Sequence, residues 1–295
     1  MIKTQLAGKR IAITGATGFL GTALVELLLR EITNIELVLL VRSTRRTAEQ
    51  RVNRDILGNE IFETLKGKLG KEEFERKTEN QITAVSADIA LDDLGLDTTG
   101  LEILKSCDVV IHSAAAVSFD EPLDRAIEVN LMGPVRLVNT LKSLECSPHL
   151  VMVSTCYVAA NRKGDAPELP LTDSPFYVPL DWRDETDAAR RTRSYIEDAS
   201  RRPSNLDLFR SSARAELGAA GTPALARKTE QLRQRWVKDQ MVEAGRNRAN
   251  SLGFPDAYAF TKAMSEQAVE EIRNDIPLSL VRPSIIESSW KSPIS

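Results

Sequence analysis

Apolar residues recur along this chain in short continuous runs that alternate with helical patterns. The first run, Arg10–Thr14, predicts a buried strand, and Leu24, Leu27 and Leu28 then recur at helical spacing. A second run, Ile35–Val41, is almost continuously apolar, as a strand of a parallel sheet should be. Further runs predict strands at Ile82–Ala87, Asp108–His112, His149–Ser154 and Leu278–Val281. Because helical patterns separate the runs, we expect an α/β fold with a doubly wound parallel sheet.

Two long segments interrupt this alternation. Residues 47–81 are polar and helical in character, so we expect extra helices over an edge of the sheet. Residues 183–248 contain 15 lysines and arginines against 10 acidic residues, a local charge of +5. We therefore expect residues 1–160 and 255–295 to form one domain, and residues 161–254 to form a charged, largely helical insertion. Its apolar docking face is predicted to contain Leu225, Leu232 and Trp236.

Composition limits the classes of protein that fit. The chain is 42% apolar and 27% charged, which suits a globular protein, and its formal net charge of −3 predicts no nucleic-acid partner. Residues 1–9 are polar, and charged residues interrupt the most apolar run, Phe19–Val41, so neither a signal peptide nor a transmembrane segment is expected. Three cysteines without metal-ligand spacing favour a reducing, cytoplasmic location, and we expect no metal site.

The turn after the first predicted strand has glycines three residues apart, in T-G-A-T-G-F-L-G. Gly15 allows a sharp turn off the strand, Gly18 allows backbone N–H groups to approach a pyrophosphate, and Gly21 allows close packing of the helix. The helix N-terminus then faces the phosphates with its partial positive charge. The pattern predicts dinucleotide binding by Gly15, Gly18 and Gly21; the alternative is a tight turn without a ligand.

The ends of the next strands carry further candidate cofactor residues. Arg42 follows the second strand, where an acid is typical of NAD binding and an arginine of a 2′-phosphate, so it favours NADPH over a simple solvated loop. After the third strand, Asp88-Ile89 is a candidate adenine contact, with a helix cap as an equally good explanation for Asp88. The small residues Ala114 and Ala115 follow the fourth strand and allow a ligand to approach the backbone closely.

A Tyr-x-x-x-Lys pair on a predicted helix provides the candidate chemistry. Tyr258 and Lys262 lie four residues apart and therefore on one helix face. A neighbouring ammonium favours the tyrosine phenolate, and the same lysine can hold the nicotinamide ribose. Thr155, or failing it Ser154, supplies a second hydroxyl at the end of the fifth strand. A surface pair is the alternative, but the pair occurs with the glycine turn, Asn130 and the turn Arg282-Pro283-Ser284.

These motifs carry a resemblance. T-G-A-T-G-F-L-G, S-T-C-Y-V, Y-A-F-T-K and R-P-S-I-I-E-S-S-W-K-S-P-I resemble the extended short-chain dehydrogenase/reductases, and most closely the fatty acyl-CoA reductases. The resemblance implies an NADPH-binding Rossmann domain that reduces long-chain acyl-CoA thioesters to aldehydes or primary alcohols. It implies that Thr17, Phe19 and Leu20 bind the pyrophosphate together with the three glycines of the turn. It implies that Thr155, Tyr258 and Lys262 are catalytic, that Asn130 is the fourth member of the group, and that Pro283 and Ser284 adjoin the cofactor. It also implies a C-terminal substrate region that is absent here.

Other functions fit the same residues. One is reduction of acyl groups bound to a carrier protein, and another is the chemistry of sugar or steroid members of the same superfamily. A non-enzymatic NADP sensor is less favoured, because its relatives typically lose the tyrosine or the lysine. For the insertion, either a basic arm that meets coenzyme A phosphates or an acidic carrier, or a solvated helical surface, is consistent with its charge.

Overall fold

The computed structural model describes residues 2–218 and 221–287. Its strands are β1 (Arg10–Thr14), β2 (Glu36–Val41), β3 (Ile82–Ser86), β4 (Val109–His112), β5 (His149–Val153) and β6 (Leu278–Val281). Its α-helices are α1 (Ile2–Leu6), α2 (Phe19–Glu31), α3 (Ala48–Arg51), α4 (Glu63–Leu69), α5 (Lys71–Gln81), α6 (Thr98–Lys105), α7 (Leu123–Ile127), α8 (Gly133–Ser143), α9 (Trp182–Ser200), α10 (Pro203–Leu217), α11 (Thr222–Ser251) and α12 (Ala257–Ile272).

The six strands form one parallel sheet in the order β3-β2-β1-β4-β5-β6. The order reverses between β1 and β4, where Ile11 pairs with Val109 and Thr14 with His112. The predicted doubly wound Rossmann-like fold is therefore confirmed. A ligand of such a sheet binds at the carboxyl ends of the strands on either side of this reversal.

Side chains alternate across the sheet and fill two apolar layers. Ile11 and Ile13 pack with α2 in one layer, while Ala12 packs with α8 in the other. The predicted extra helices between β2 and β3 are α3, α4 and α5, and Phe62 and Phe74 join the first layer with ring centroids 6.1 Å apart. Burial on both faces explains why the sequences of β1 and β2 are almost continuously apolar.

Contacts between Cα atoms divide the chain into two compact units. The first contains Met1–Ala115, Val129–Cys156 and Ala268–Ser295; the second contains Ala116–Glu128 and Tyr157–Gln267. The division falls within α12, so the helix that carries Tyr258 and Lys262 begins in the second unit. This division differs from the domain boundaries expected at residues 160 and 255, and those boundaries remain a prediction from sequence.

The second unit is built around α11. Its buried face contains Arg233, Val237, Met241, Gly245 and Ala249 at intervals of four residues. The predicted docking residues Leu225, Leu232 and Trp236 are only partly buried. The face of the helix that is buried is the adjacent one, which contains Arg233 and Val237. Trp236 does pack on Phe209 of α10, with ring centroids 6.0 Å apart.

The basic residues of the insertion are largely engaged in ion pairs within the second unit. Arg233, only 8% exposed, bonds both Glu197 and Glu230 at 2.7 Å. These bonds lower the pKa of Glu230 to about 2. Other pairs join Arg193 to Asp124, Arg246 to Asp120, Lys228 to Glu216 and Arg248 to Glu185. Among these acids, only Asp124 and Asp120 lie outside residues 183–248; the others are already counted in the local charge of +5. The engagement of these basic side chains in ion pairs within the unit favours the solvated helical surface.

Candidate functional site

At two glycines of the turn, other backbone atoms lie so close that there is no space for a side chain. Gly15 has φ +73°, and a Cβ there would lie 2.6 Å from the backbone nitrogen of Ala114. A Cβ on Gly21 would lie 2.2 Å from the carbonyl oxygen of Gly15. The predicted sharp turn at Gly15 and close packing at Gly21 are therefore present, and both depend on the missing Cβ.

The turn leads directly into the N-terminus of α2. Gly18 is the N-cap residue, and no side chain caps the helix. Thr17 and Leu20 are partly buried beside it and Phe19 is exposed. The first N–H groups of an α-helix have no partner within the helix and attract anions. An uncapped start that follows a turn with a close backbone approach fits the pyrophosphate of a dinucleotide.

The ends of β1 and β4 are joined by a buried polar cluster. Thr14 Oγ1 lies 2.9 Å from His112 Nδ1, and the Ser113 hydroxyl donates to the Thr14 carbonyl at 2.8 Å. The Ala114 N–H donates to Thr14 Oγ1 at 3.3 Å. The cluster thereby holds Ala114 and Ala115 at the point where the strand order reverses, which is where a dinucleotide is expected to bind.

Arg42 is exposed at the carboxyl end of β2, and its loop is tied from α3. Arg51 donates from Nη1 to the Arg42 carbonyl at 2.7 Å and from Nε to Asp55 at 3.0 Å. A Thr47–Gln50 capping box begins the helix that carries Arg51. Arg42 thus follows β2 at the same carboxyl edge of the sheet as the glycine turn after β1, and its contact with a 2′-phosphate remains a prediction.

The segment after β3 is also fixed locally. Asp88 Oδ1 accepts the Ala90 N–H at 3.0 Å, so its carboxylate closes a turn. The helix cap offered as an alternative is not formed, because Leu91 is the N-cap of the following 3₁₀ turn. Arg136 donates to the Ile89 carbonyl at 3.3 Å. An adenine contact at Asp88 or Ile89 remains a prediction.

Thr155 and Ser154 follow β5, and both are buried. The Ser154 N–H donates to the Val281 carbonyl at 2.7 Å, and the Cys156 N–H donates to the Pro283 carbonyl at 3.0 Å. Pro283 therefore lies beside the segment that holds Thr155, and Ser284 follows it, exposed. Asn130 is buried in a π-helical turn, Glu128–Met132, between α7 and α8. Such turns occur often at functional sites, and the sequence predicted only a helix here.

Tyr258 and Lys262 lie one turn apart on α12 in the second unit. The helix begins at Ala257, and Asp256 Oδ1 accepts the Ala259 N–H at 2.8 Å. Asp256 therefore caps the helix, a position that suits the short side chain of aspartate. Lys262 is 1% exposed, and burial lowers its pKa to about 8, with Glu266 acting in the opposite direction.

A buried lysine with a pKa of about 8 is still charged at neutral pH, although burial destabilises the charged form. Ionisable groups with such shifted pKa values are typical of functional sites. Tyr258 and Lys262 belong to the second unit, whereas Thr155 and Asn130 belong to the first. Their meeting at one substrate carbonyl remains a prediction. Two further residues were not predicted from the sequence: Gly245 lies close to Ala257 at the start of α12, and Phe119 packs on Tyr258. A glycine within a long helix was the available signal for Gly245.

Among residues 2–218 and 221–287, no group of three or more histidine, cysteine or acidic side chains is arranged to hold a metal ion. Within the same ranges, no helix has both the length and the apolar character that a membrane span requires.

Comparison with known families identifies relatives over nearly the whole chain. The family model NAD_binding_4, described as Male sterility protein, matches residues 13–294. Fatty acyl-CoA reductase 2, chloroplastic, of Arabidopsis thaliana is 32% identical over 98% of this chain and 43% of its own length. Alcohol-forming fatty acyl-CoA reductase of Simmondsia chinensis is 30% identical over 98% and 53%, respectively. The chain spans about half the length of these curated relatives.

Two solved structures share the fold. The terminal R domain from the myxalamid PKS-NRPS biosynthetic pathway has a TM-score of 0.54 and 22% identity, covering 94% of this chain and 49% of that one. A thiolation-reductase di-domain from an archaeal non-ribosomal peptide synthetase has a TM-score of 0.51 and 16% identity, covering 95% and 42%.

Proposed function

Because the chain belongs to the male sterility protein family of NAD-binding domains, we propose that it is the nucleotide-binding part of an NADPH-dependent reductase of fatty acyl-CoA thioesters. The observation that carries this proposal is the burial of Lys262 one helical turn after Tyr258, which lowers the pKa of the lysine to about 8 and still leaves it charged at neutral pH. The named relatives, fatty acyl-CoA reductases, supply the substrate class.

Most of the proposed cofactor contacts come from the first unit, and Lys262 of the second unit adds one. In this proposal the N–H groups at the start of α2 bind the pyrophosphate, and Arg42 binds the 2′-phosphate through a charge-assisted contact. Asp88, Ile89, Ala114 and Ala115 line the adenine and ribose side. Pro283 and Ser284 adjoin the nicotinamide, and Lys262 holds its ribose. When bound, NADPH supplies a hydride to the carbonyl carbon of the thioester.

The protein side chains handle the charge that this transfer creates. Tyr258 and Thr155 donate hydrogen bonds to the oxygen that becomes negatively charged, which stabilises the transition state. The tetrahedral adduct then collapses: the carbonyl re-forms, the C–S bond breaks and coenzyme A leaves as a thiolate, giving an aldehyde. For a second reduction to the primary alcohol, Tyr258 donates its proton to the alkoxide, and the Lys262 ammonium lowers the cost of losing that proton. Asn130 supports this group from its π-helical turn.

A carrier-bound acyl chain is the second candidate substrate, because the two solved structures with the same fold are reductase domains of biosynthetic assembly proteins. The test supplies the protein with excess NADPH and either palmitoyl-CoA or the same acyl group on a carrier protein, and identifies products by mass. Aldehyde or alcohol from palmitoyl-CoA at the higher kcat/KM supports the proposal. Faster turnover of the carrier-bound group favours the second candidate, and no reduction of either thioester contradicts both.

A further inference from the structure

An exposed aromatic side chain lies against Tyr258. The rings of Phe119 and Tyr258 pack edge to face, with centroids 6.2 Å apart and an interplanar angle of 83°. Phe119 is nevertheless 56% exposed. A phenylalanine held against another ring usually has its remaining surface covered, because burial of apolar area is the source of its stabilisation. The free part of this ring is therefore available to an apolar ligand beside Tyr258.

Two successive residues of α11, Gly245 and Arg246, contact the segment that carries Phe119. The Arg246 guanidinium donates to Asp120 at 2.9 Å, next in sequence to Phe119. A Cβ added to Gly245 would lie 3.2 Å from the Cβ of Leu123 and 3.3 Å from that of Ala257. Leu123 begins α7 and Ala257 begins α12, so α11 brings the segment and the start of α12 together. The contact between Phe119 and Tyr258 thus follows from the packing of three elements in the second unit.

We propose that Phe119 is a specificity-determining residue that contacts the acyl chain beside the reacting carbonyl. This inference rests on the proposed function, in which the Tyr258 hydroxyl bonds the carbonyl oxygen of the thioester. A carbonyl within one hydrogen bond of that hydroxyl brings the first carbons of the acyl chain close to whatever packs on the tyrosine ring. The exposed part of the Phe119 ring supplies an apolar surface for them and limits substitution at carbon 2.

The experiment compares palmitoyl-CoA with 2-methylpalmitoyl-CoA in the unaltered protein and in two variants, Phe119→Ala and Phe119→Leu. Truncation to alanine should lower kcat/KM for palmitoyl-CoA and raise the ratio of the branched to the unbranched substrate by about tenfold, the scale of one methyl group in a substrate pocket. Leucine should give an intermediate ratio. The loss with octanoyl-CoA should equal that with palmitoyl-CoA, because the contact is made near the carbonyl.

Leu208→Ala is the matched control, since Leu208 is 57% exposed and lies on α10 of the same unit. It should leave the substrate ratio unchanged, and NADPH affinity measured by fluorescence should be the same in all forms. If the unaltered protein reduces these thioesters and Phe119→Ala leaves the ratio unchanged while thermal unfolding shows a folded protein, the role of Phe119 is overturned alone. If the unaltered protein reduces no acyl thioester, the proposed function fails, and the role of Phe119 fails with it.

Discussion

The glycine turn of the first unit and the Tyr258 helix of the second are built in different ways. The closest contacts at Gly15 and Gly21 are all with backbone atoms: Gly21 meets residues 15 and 16 of the same turn, and Gly15 meets Ser113 and Ala114 after β4. The start of α12 instead packs against the side chains of Phe119 and Leu123 and close to Gly245 of α11. Close backbone approach shapes the first region, and side-chain packing between distant segments shapes the second.

This difference separates two properties of the protein. Changes in the turn are expected to act on cofactor binding, because the turn is the expected phosphate site. Changes around Tyr258 are expected to act on the chemical step or on stability while cofactor binding survives. The insertion, which the sequence presented as a solvated arm, supports the second region through the buried face of α11.

The largest effect is expected from Tyr258→Phe, which keeps the ring and its contact with Phe119 but removes the hydroxyl. Turnover should fall roughly 100-fold or more, because the acid and oxyanion donor is lost. NADPH affinity, measured by fluorescence titration, should stay within the error of the unaltered protein. Full activity in this variant would show that the tyrosine is not the catalytic acid.

Gly21→Ala should break the first region. The new Cβ would lie 2.2 Å from the Gly15 carbonyl oxygen, so the turn must shift, with a loss of about 3 kcal/mol in the free energy of unfolding and weaker NADPH binding. The control is Gly67→Ala on α4, where nothing lies within 4 Å of the new Cβ; it should raise stability by up to about 1 kcal/mol. Denaturant unfolding measures both, and equal effects would contradict the close packing at Gly21.

Arg42→Ala should remove most of the preference for NADPH over NADH. A hydrogen bond to a charged group is worth about 1.5–3 kcal/mol, or roughly ten- to a hundredfold in affinity. Arg54→Ala is the control, because Arg54 is also exposed and its nearest acid, Asp55, lies 3.8 Å away. Equal dissociation constants for NADPH and NADH in the unaltered protein would rule out the 2′-phosphate role.

A smaller effect is expected in the pH dependence of stability. Burial lowers the pKa of Lys262 to about 8 in the folded protein, while in the unfolded chain it stays near 10.4. Between these values the unfolded state binds more protons, so the free energy of unfolding rises with pH. Relative to Lys262→Met, the unaltered protein should gain about 2 kcal/mol between about pH 7 and about pH 9.5. Parallel stability curves would mean that the folded lysine titrates normally.

Much of the first unit could be predicted from the chain alone. β1 and β6 have the predicted bounds, and each of the other four strands is one residue shorter than predicted at one end. The glycine turn adopts the geometry that its spacing indicated. These features repeat over a few residues, and a strand buried on both faces leaves an apolar run that is visible in sequence.

Sequence by itself thus determined the alternation of elements, the glycine turn and the candidate residues Tyr258 and Lys262, because each is a pattern within one turn or one strand. Only the tertiary structure decided that Arg233 is a buried ion-pair partner, that α11 buries the stripe through Gly245, and that Lys262 is withdrawn from solvent. Burial and its effect on a pKa come from residues far apart in the chain, and no local pattern encodes which of them will meet.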